Sequence, residues 1–464
     1  MNNFFVRNLE ALVVIFLILL CPANSIAQSE KEQIEALKKR IEEIERQNQE
    51  QIDMLKEQID ALEAGRQADQ RKTAELIAAE KEQDKDVWYK NFMAKYDKGL
   101  VFESDSGNYK MRFRIQGQFQ LSVNDTDKEL TSTNFQVRRL RLKWDGNAFR
   151  PWFLYTVQID AVDDVILRDL YFTFAYQKQI APRVGQFKVP FGREELNSST
   201  ALQLVERSIV DDEFGLGRDR GIVLLGGLGA NNNFSYSAGV FNGDGRNGTS
   251  VDSNLLYAGR IQLGLGGEDF KFDANDQFAT AKAYQIVPNF AKAPTFVIGA
   301  AAAAIPGLNC DRKTPDNDTC DRIAELGFPQ SDYTTITGDV SFKMPYLNVQ
   351  GDYYGRWLNP ETGAQDTAYD QGFDVQGGVF IVPKTVEIAG RFSFIDYDTS
   401  SGVVPGGVST QDKTWATTPG LNYYMSHDHR WKIQLDYSFI RNEFTLDTPD
   451  VDENIFRAQL QAYF

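Results

Sequence analysis

Apolar and polar positions alternate along much of this chain. Between Lys110 and Leu121, the residues Met111, Phe113, Ile115, Gly117, Phe119 and Leu121 share one face of an extended strand, and Lys110, Arg112, Arg114, Gln116, Gln118 and Gln120 share the other. Phe153, Tyr155, Val157 and Ile159 alternate with Leu154, Thr156, Gln158 and Asp160, and Trp431, Ile433, Leu435, Tyr437 and Phe439 alternate with Arg430, Lys432, Gln434, Asp436 and Ser438. The chain closes the same way, with Phe456, Ala458, Leu460, Ala462 and Phe464 against Arg457, Gln459, Gln461 and Tyr463. A strand with lipid on one side and water on the other requires this pattern. A soluble antiparallel sandwich also alternates, but its outward face seldom carries so many aromatic residues. No apolar run after residue 27 approaches the roughly 20 residues of a spanning helix.

From about residue 99 onward, turn residues punctuate the alternation, as in Asn242-Gly243-Asp244-Gly245, Asn359-Pro360-Glu361-Thr362-Gly363 and Asp447-Thr448-Pro449-Asp450. Strands of ~10 residues with short turns and longer loops fit about sixteen times into that length. Sixteen strands also leave an aqueous lumen. The expected fold class is all-β, a transmembrane antiparallel β-barrel of about sixteen strands, preceded by an N-terminal α-helical coiled coil.

The coiled coil is indicated by a change of pattern. Between Ser29 and Asp86 the chain is rich in Glu, Lys, Gln, Ile and Leu, and Ile34, Leu37, Ile41 and Ile44 take heptad spacing. Ile52, Leu55, Ile59 and Leu62 resume it after a shift near Asn48, which is a stutter. Isoleucine at the seam favours three or more strands over two; the competing reading is a lone charge-stabilised helix or partly disordered linker. Trp88, Tyr89, Phe92, Met93 and Tyr96 are expected to dock this helix onto the barrel. Ahead of it, Arg7, an apolar core from Ala11 to Leu20 and Ser25-Ile26-Ala27 read as a cleavable signal peptide. The expected domains are a signal peptide at 1–27, a stalk at 28–86, a linker at 87–98 and a barrel at 99–464.

Charge and chemistry narrow the function. A net charge of -16 argues against a nucleic-acid partner, since nothing would offset repulsion from phosphates. The chain has 2 histidines, His427 and His429, which leaves little room for imidazole acid–base catalysis. An enzyme such as a barrel lipase would need serine, histidine and an orienter converging on the lipid face, and neither histidine is placed for that. Two ligands beside a hairpin turn do not make a metal site, and no cofactor is implied. Cys310 and Cys320 flank a polar stretch, and in an oxidising compartment they are expected to close a loop disulfide.

One segment breaks the alternation. Gly185-Gln186-Phe187-Lys188-Val189-Pro190-Phe191-Gly192, continuing Glu194-Glu195-Leu196-Asn197-Ser198-Ser199 and ending Leu204-Val205-Glu206-Arg207-Ser208, resembles the signature of the phosphate-selective porin O and P family. Arg138-Arg139-Leu140-Arg141-Leu142, Val240-Phe241-Asn242-Gly243, Gly259-Arg260 and the terminal Phe464 agree in order. The resemblance implies a trimeric sixteen-stranded barrel in the bacterial outer membrane, with a third external loop, here about Phe191 to Arg220, folded inward to narrow the pore. It also implies that Arg138 and Arg139 line the pore, that Arg207 sits in the constriction, and that Ser198 and Ser199 contact phosphate.

Phase gives an independent reading of the arginines. Leu140, Leu142 and Trp144 mark the lipid face, so Arg139, Arg141 and Lys143 point into the lumen beside Arg112 and Arg114. Arg138 has the wrong phase and reaches the pore only if a bulge re-aims it. Such a basic stripe suits phosphate or other small anions. Glu194 and Glu195 stand in the constriction where phosphate-selective members carry a lysine, and acidic groups there oppose anions. The expected function is passive diffusion of phosphate or small anions through a homotrimer surrounded by outer-membrane lipid. The alternative is a general porin that also tethers the outer membrane to peptidoglycan through a periplasmic stalk of about 80 Å.

Overall fold

The computed structural model describes residues 92–464 apart from 128, 230–232, 249–252, 266–293, 310–317, 328–329, 362–364, 401, 405–408 and 447, together with helical positions between 35 and 73. The chain divides into two compact units, Met1–Trp88 and Tyr89–Phe464. In the first, every described position is helical, and Ile59 and Leu62 of the expected seam are 53% and 73% exposed. The signal peptide and the seam residues Ile34, Leu37, Ile41, Ile44, Ile52 and Leu55 lie outside the described residues.

The second unit is a closed barrel. Its strands are β1 (Phe92–Tyr96), β2 (Leu100–Ser104), β3 (Lys110–Thr126), β4 (Glu129–Asn147), β5 (Phe153–Asp160), β6 (Ile166–Phe174), β7 (Ala181–Lys188), β8 (Arg218–Leu228) and β9 (Phe234–Phe241). They continue as β10 (Leu256–Leu265), β11 (Thr295–Leu308), β12 (Ser331–Met344), β13 (Leu347–Pro360), β14 (Ala368–Val382), β15 (Val386–Asp396), β16 (Gln411–Tyr424), β17 (Trp431–Phe444) and β18 (Val451–Tyr463). From β3 onward each strand pairs antiparallel with the next, and β18 closes on β3 from Tyr463↔Gln116 to Glu453↔Thr126. Sixteen strands thus form the ring, as the alternation predicts. Closure removes the edge strands that lipid could not satisfy.

β1 and β2 lie outside that count. They form a hairpin whose second strand pairs with the first residues of β3, Lys110 to Phe113, just past where Phe464 ends the β18 ladder. Residues 92–96, expected in a linker that docks a helix, are therefore strand, and Phe92, Met93 and Tyr96 belong to β1. At the end that holds Phe464, four of the turns use left-handed non-glycine residues, Phe149, Tyr346, Lys384 and His427. Short turns mark the periplasmic end of such barrels, and the longer connections the external one.

The outward face is apolar and the predicted phases hold on it. Phe119, Trp431, Ile433, Tyr437, Phe456 and Leu460 are exposed, while Gln118, Gln434, Gln459, Gln461 and Lys432 are buried inside. Two of the bulges that interrupt this order involve arginines. Gln118 pairs with Arg139 and Phe119 with Val137, which leaves Arg138 as the extra residue on β4. Gln158 pairs with Asp169 and Ile159 with Leu167, which leaves Arg168 extra on β6. Strict alternation would place both guanidinium groups against lipid, at a cost of roughly 2–4 kcal/mol at mid-membrane; the bulges turn them inward instead.

β8 to β15 follow a different rule, with apolar residues on both faces. Val223, Leu225, Phe241, Leu256, Ala301, Ala303, Ile305, Tyr333, Leu358 and Ile395 are buried inside the barrel and join one cluster. Such double-sided strands need something apolar within the lumen to pack against.

Candidate functional site

That partner is the connection between β7 and β8, residues 189–217. It carries two short helices, α1 (Arg193–Leu196) and α2 (Ile209–Phe214), and a single 3₁₀ turn at Ser199–Ala201. The family resemblance places the inward segment from about Phe191 to Arg220; its last three residues are instead the start of β8. Nor is the segment purely polar, because Val189, Phe191, Leu196, Leu202, Leu204, Val205, Val210 and Phe214 are buried. Val189, Phe191, Val210 and Phe214 join the apolar cluster of that wall, which lets the loop cross the lumen without offering an apolar face to lipid.

A loop crossing a barrel has no ladder for its backbone, so wall side chains satisfy it. Lys432 donates to the Leu202 carbonyl (2.8 Å), Asn422 to that of Gln203 (2.7 Å), and Arg391 to those of Glu206 (3.1 Å) and Arg207 (2.8 Å). Asp436 accepts from the Val205 amide (2.8 Å). Arg193 reaches across to Asp352 and Gln350 on β13, and Gly192 has no room for a Cβ, which would lie 2.6 Å from the Tyr354 hydroxyl.

Between this loop and the opposite wall lies a cavity of about 860 Å³. Its lining carries nine arginines, Arg138, Arg139, Arg141, Arg168, Arg207, Arg218, Arg246, Arg391 and Arg457, against five carboxylates, Asp160, Glu195, Glu206, Asp211 and Asp212. The chain is acidic as a whole, yet this cavity is basic.

Glu206 is the hub of the arginine side. Arg138 Nε donates to its Oε1 and Arg139 Nη2 to its Oε2, both at 2.7 Å. Burial alone would raise its pKa, but Arg139 and Arg138 outweigh that and lower it to about 2. Arg141 holds Asp160 (3.0 Å) and the Ser199 hydroxyl (2.6 Å), and Arg218 holds Asp169 (3.0 Å).

The remaining sequence-predicted residues divide into two sets. Arg207 borders the cavity but serves as a brace, pairing with Glu195 (3.1 Å) and Asp211 (3.3 Å) and donating to the carbonyls of Glu194, Glu195 and Asn197. Burial opposes its charge, but those two carboxylates overcome the penalty and raise its pKa. Glu195 in turn is held below the ordinary carboxylate range, against burial, by Arg207, Lys188 and Arg218. Glu194 is buried away from the cavity, accepting from the Ser208 hydroxyl (2.6 Å) and pairing with Arg391 (3.3 Å). Ser198 caps the 3₁₀ turn by accepting from the Thr200 amide, and Ser199 is buried beneath Arg141 and Gln116. Arg112 and Arg114 both bind Asp145 near the periplasmic end of β3 and, like Lys143, do not line the cavity.

Phase reasoning missed Arg168, Arg218, Arg246, Arg391 and Arg457. Arg391 and Arg457 have inward phase and could have been found by it; Arg168 could not, because its bulge is not visible as alternation. Arg246 lies in a connecting loop, beyond the reach of any strand pattern.

Among the described residues, no group of three or more His, Cys, Asp or Glu is placed to hold a metal. His427 sits in a turn beside Thr385, and His429 packs edge-on against Tyr424. Cys320 is disulfide-bonded, on helix α3 (Asp318–Leu326) of the connection between β11 and β12; Cys310 lies outside the described residues.

Solved structures of similar fold include an anion-selective porin from Comamonas acidovorans, 10% identical over 76% of this chain and 100% of its own, with a TM-score of 0.48. The outer membrane channel DcaP of Acinetobacter baumannii is 12% identical over 78% and 99%, with a TM-score of 0.48. OmpF of Salmonella typhi is 12% identical over 80% and 100%, with a TM-score of 0.49. No curated protein matches the sequence. The family model for phosphate-selective porin O and P matches residues 109–277 and 324–464, which together take in the ring strands on both sides of β11 and the whole inward loop. The chain belongs to that family of outer-membrane porins.

Proposed function

We propose that this porin is a passive channel selective for small anions, with phosphate among its solutes. The observation that carries this reading is the surplus of arginine over carboxylate in the lumen cavity. Guanidinium groups suit an oxyanion, and their surplus charge raises the local anion concentration. Arg138, Arg139, Arg141 and Arg168 form the attracting wall; Arg207 shapes the loop. The test is the reversal potential of the purified protein in planar bilayers under a potassium chloride gradient, followed by phosphate titration of the chloride current. Anion selectivity with block at low phosphate concentration is expected; weak or cation selectivity without block would overturn it.

A second reading keeps the channel and drops the selectivity. Asp211 and Asp212 border the cavity opposite the arginine wall, and such a transverse field orients polar solutes in a general porin. The same titration separates the two readings.

The assembly is proposed to be a homotrimer. On the β5 side, residues 130–139 of β4 have no strand partner, and Leu130 and Phe135 are 95% and 80% exposed there. A bare edge beside apolar side chains is a surface that calls for cover by another chain. The exposed Ile59 and Leu62 of the helical unit support a self-associating stalk in the periplasm that reaches peptidoglycan. A peptidoglycan pull-down with and without residues 28–86 tests the tether; equal binding by both would remove it.

A further inference from the structure

The family match omits residues 278–323, and most of α3, with Arg322, falls in that stretch. α3 is nonetheless built into the barrel mouth. Ile323 and Leu326 are buried in the cluster that also holds Val210 and Phe214 of α2. Arg322 donates to Asp370 on β14 (3.2 and 3.3 Å) and to the Asp398 carbonyl (2.9 Å).

Asp370 has a second cation. Arg356 on β13, wholly buried, donates through one nitrogen to Asp370 and to Glu213 of α2, each at 2.7 Å. The Tyr397 hydroxyl donates to the other oxygen of Glu213 (3.0 Å). Beside this chain of pairs, Phe214 stacks on Tyr354 with ring centres 5.8 Å apart, and the Arg356 guanidinium lies 4.9 Å from the Phe214 ring. Gly372 on β14 completes the seat, since a Cβ there would come within 2.9 Å of Phe214 and 3.2 Å of Val210.

α2 therefore has two sides. Glu213 and Phe214 are clamped to the wall, while Asp211 and Asp212 border the arginine-lined cavity. We propose that Arg322 of α3, acting through Asp370 and Arg356 on Glu213, is a positioning residue that sets how far α2 stands from the arginine wall. That distance fixes both the width of the aqueous lane and the balance between its acidic and basic sides. Buried charges must stay paired, so the ionic chain holds α2 at one depth, and the absent side chain of Gly372 sets that depth from behind. This inference rests on the reading of the lumen as a conducting path.

The test is single-channel conductance and the chloride-to-potassium permeability ratio of the full-length protein in planar bilayers, with heat-modifiable gel migration as the control for a folded barrel. Arg322→Met and Glu213→Gln let α2 move and are expected to raise conductance about twofold, with greater open-channel noise. Gly372→Ala pushes α2 forward and is expected to lower conductance. Arg322→Lys, which keeps a cation beside Asp370, should restore most of the parent behaviour. Folded variants with parent conductance and permeability ratio would overturn the inference, as would a change of the same sign in all of them. A parent protein that does not conduct would remove the channel reading, and this inference with it.

Discussion

The two sides of the lumen are built by opposite rules. Along β3, β4, β17 and β18 the inward residues are amides, arginines and hydroxyls, such as Gln118, Arg139, Gln434, Ser438 and Gln459. Along β8 to β15 many are apolar and belong to a continuous core with Phe191, Val210 and Phe214 of the inward loop. The first side is polar and is specified by hydrogen bonds and charge. The second is packed like a soluble protein interior, and its stability comes from area removed from water. The division is one of emphasis, since Lys432 and Asp436 on the polar side also hold the loop and Arg391 on the packed side also lines the cavity.

The comparison breaks most directly at Phe214, one of the loop's two phenylalanine wedges into the packed side. Truncating it to alanine empties a volume that the rigid wall cannot collapse to fill, and buried Phe→Ala changes cost about 3–5 kcal/mol. Because the loop adds no strand to the ring, the loss should appear as local loosening. Hydrogen exchange or limited proteolysis over residues 189–217 of Phe214→Ala should accelerate strongly while the heat-modifiable barrel persists. Equal loss of loop and barrel would mean that the packed side also holds the ring together.

The same contrast explains what could be read from the sequence. Alternation was legible where one face meets lipid and the other water, so β3, β5, β17 and β18 could be phased from Phe119, Tyr155, Trp431 and Leu460. It was not legible in β11, where Ala301 and Ala303 are inward and Ile298 and Ala300 outward, because an apolar run carries no phase. The site was half legible for a related reason. Arg139 and Arg141 follow from phase, and Arg138 follows only once a bulge is granted. Arg168 looks lipid-facing until its pairing is known. The acidic residues of the loop were legible as charges but not as partners: Glu194 and Glu195 look like opponents of anions in sequence, whereas folding buries the first and surrounds the second with cations. Nothing in their spacing indicates Arg207, Arg218 or Arg391 as those partners, since the first two lie 12 and 23 residues beyond Glu195, outside the neighbour spacing of any helix or strand, and the third comes from β15.

On the polar side the effects are smaller and electrostatic. Changing Arg138 and Arg139 together to glutamate turns nine arginines and five carboxylates into seven of each. The surplus disappears, and the chloride-to-potassium permeability ratio should fall about tenfold, on the order of 1 kcal/mol at water-like screening. Glu206→Gln acts in the other direction: it removes the negative charge that both arginines share, and the ratio should rise by about threefold. Raising the salt from 0.1 to 1 M should shrink both changes, because the Debye length falls from about 10 to 3 Å. Salt-independent shifts would mean that these residues act through loop position rather than charge.

The finest test asks whether Glu206 is paired as tightly as its geometry implies. An acid whose folded pKa is depressed stabilises the fold above its ordinary value, and that contribution is lost as pH falls through the folded value. For Glu206 the window runs from 4.5 down to about 2, and the pairing contributes at most about 3 kcal/mol to loop docking. Every other carboxylate in the cavity also titrates, so a single pH profile would not isolate it. The difference between the parent protein and Glu206→Gln does, because the other groups are common to both. That difference in permeability ratio should stay constant from pH 7 to pH 4 and narrow only as pH approaches 2. If it closes between pH 5 and pH 4, Glu206 titrates like a solvated acid, Arg138 and Arg139 are not committed to it, and the arginine wall is more open to solutes than the paired geometry allows.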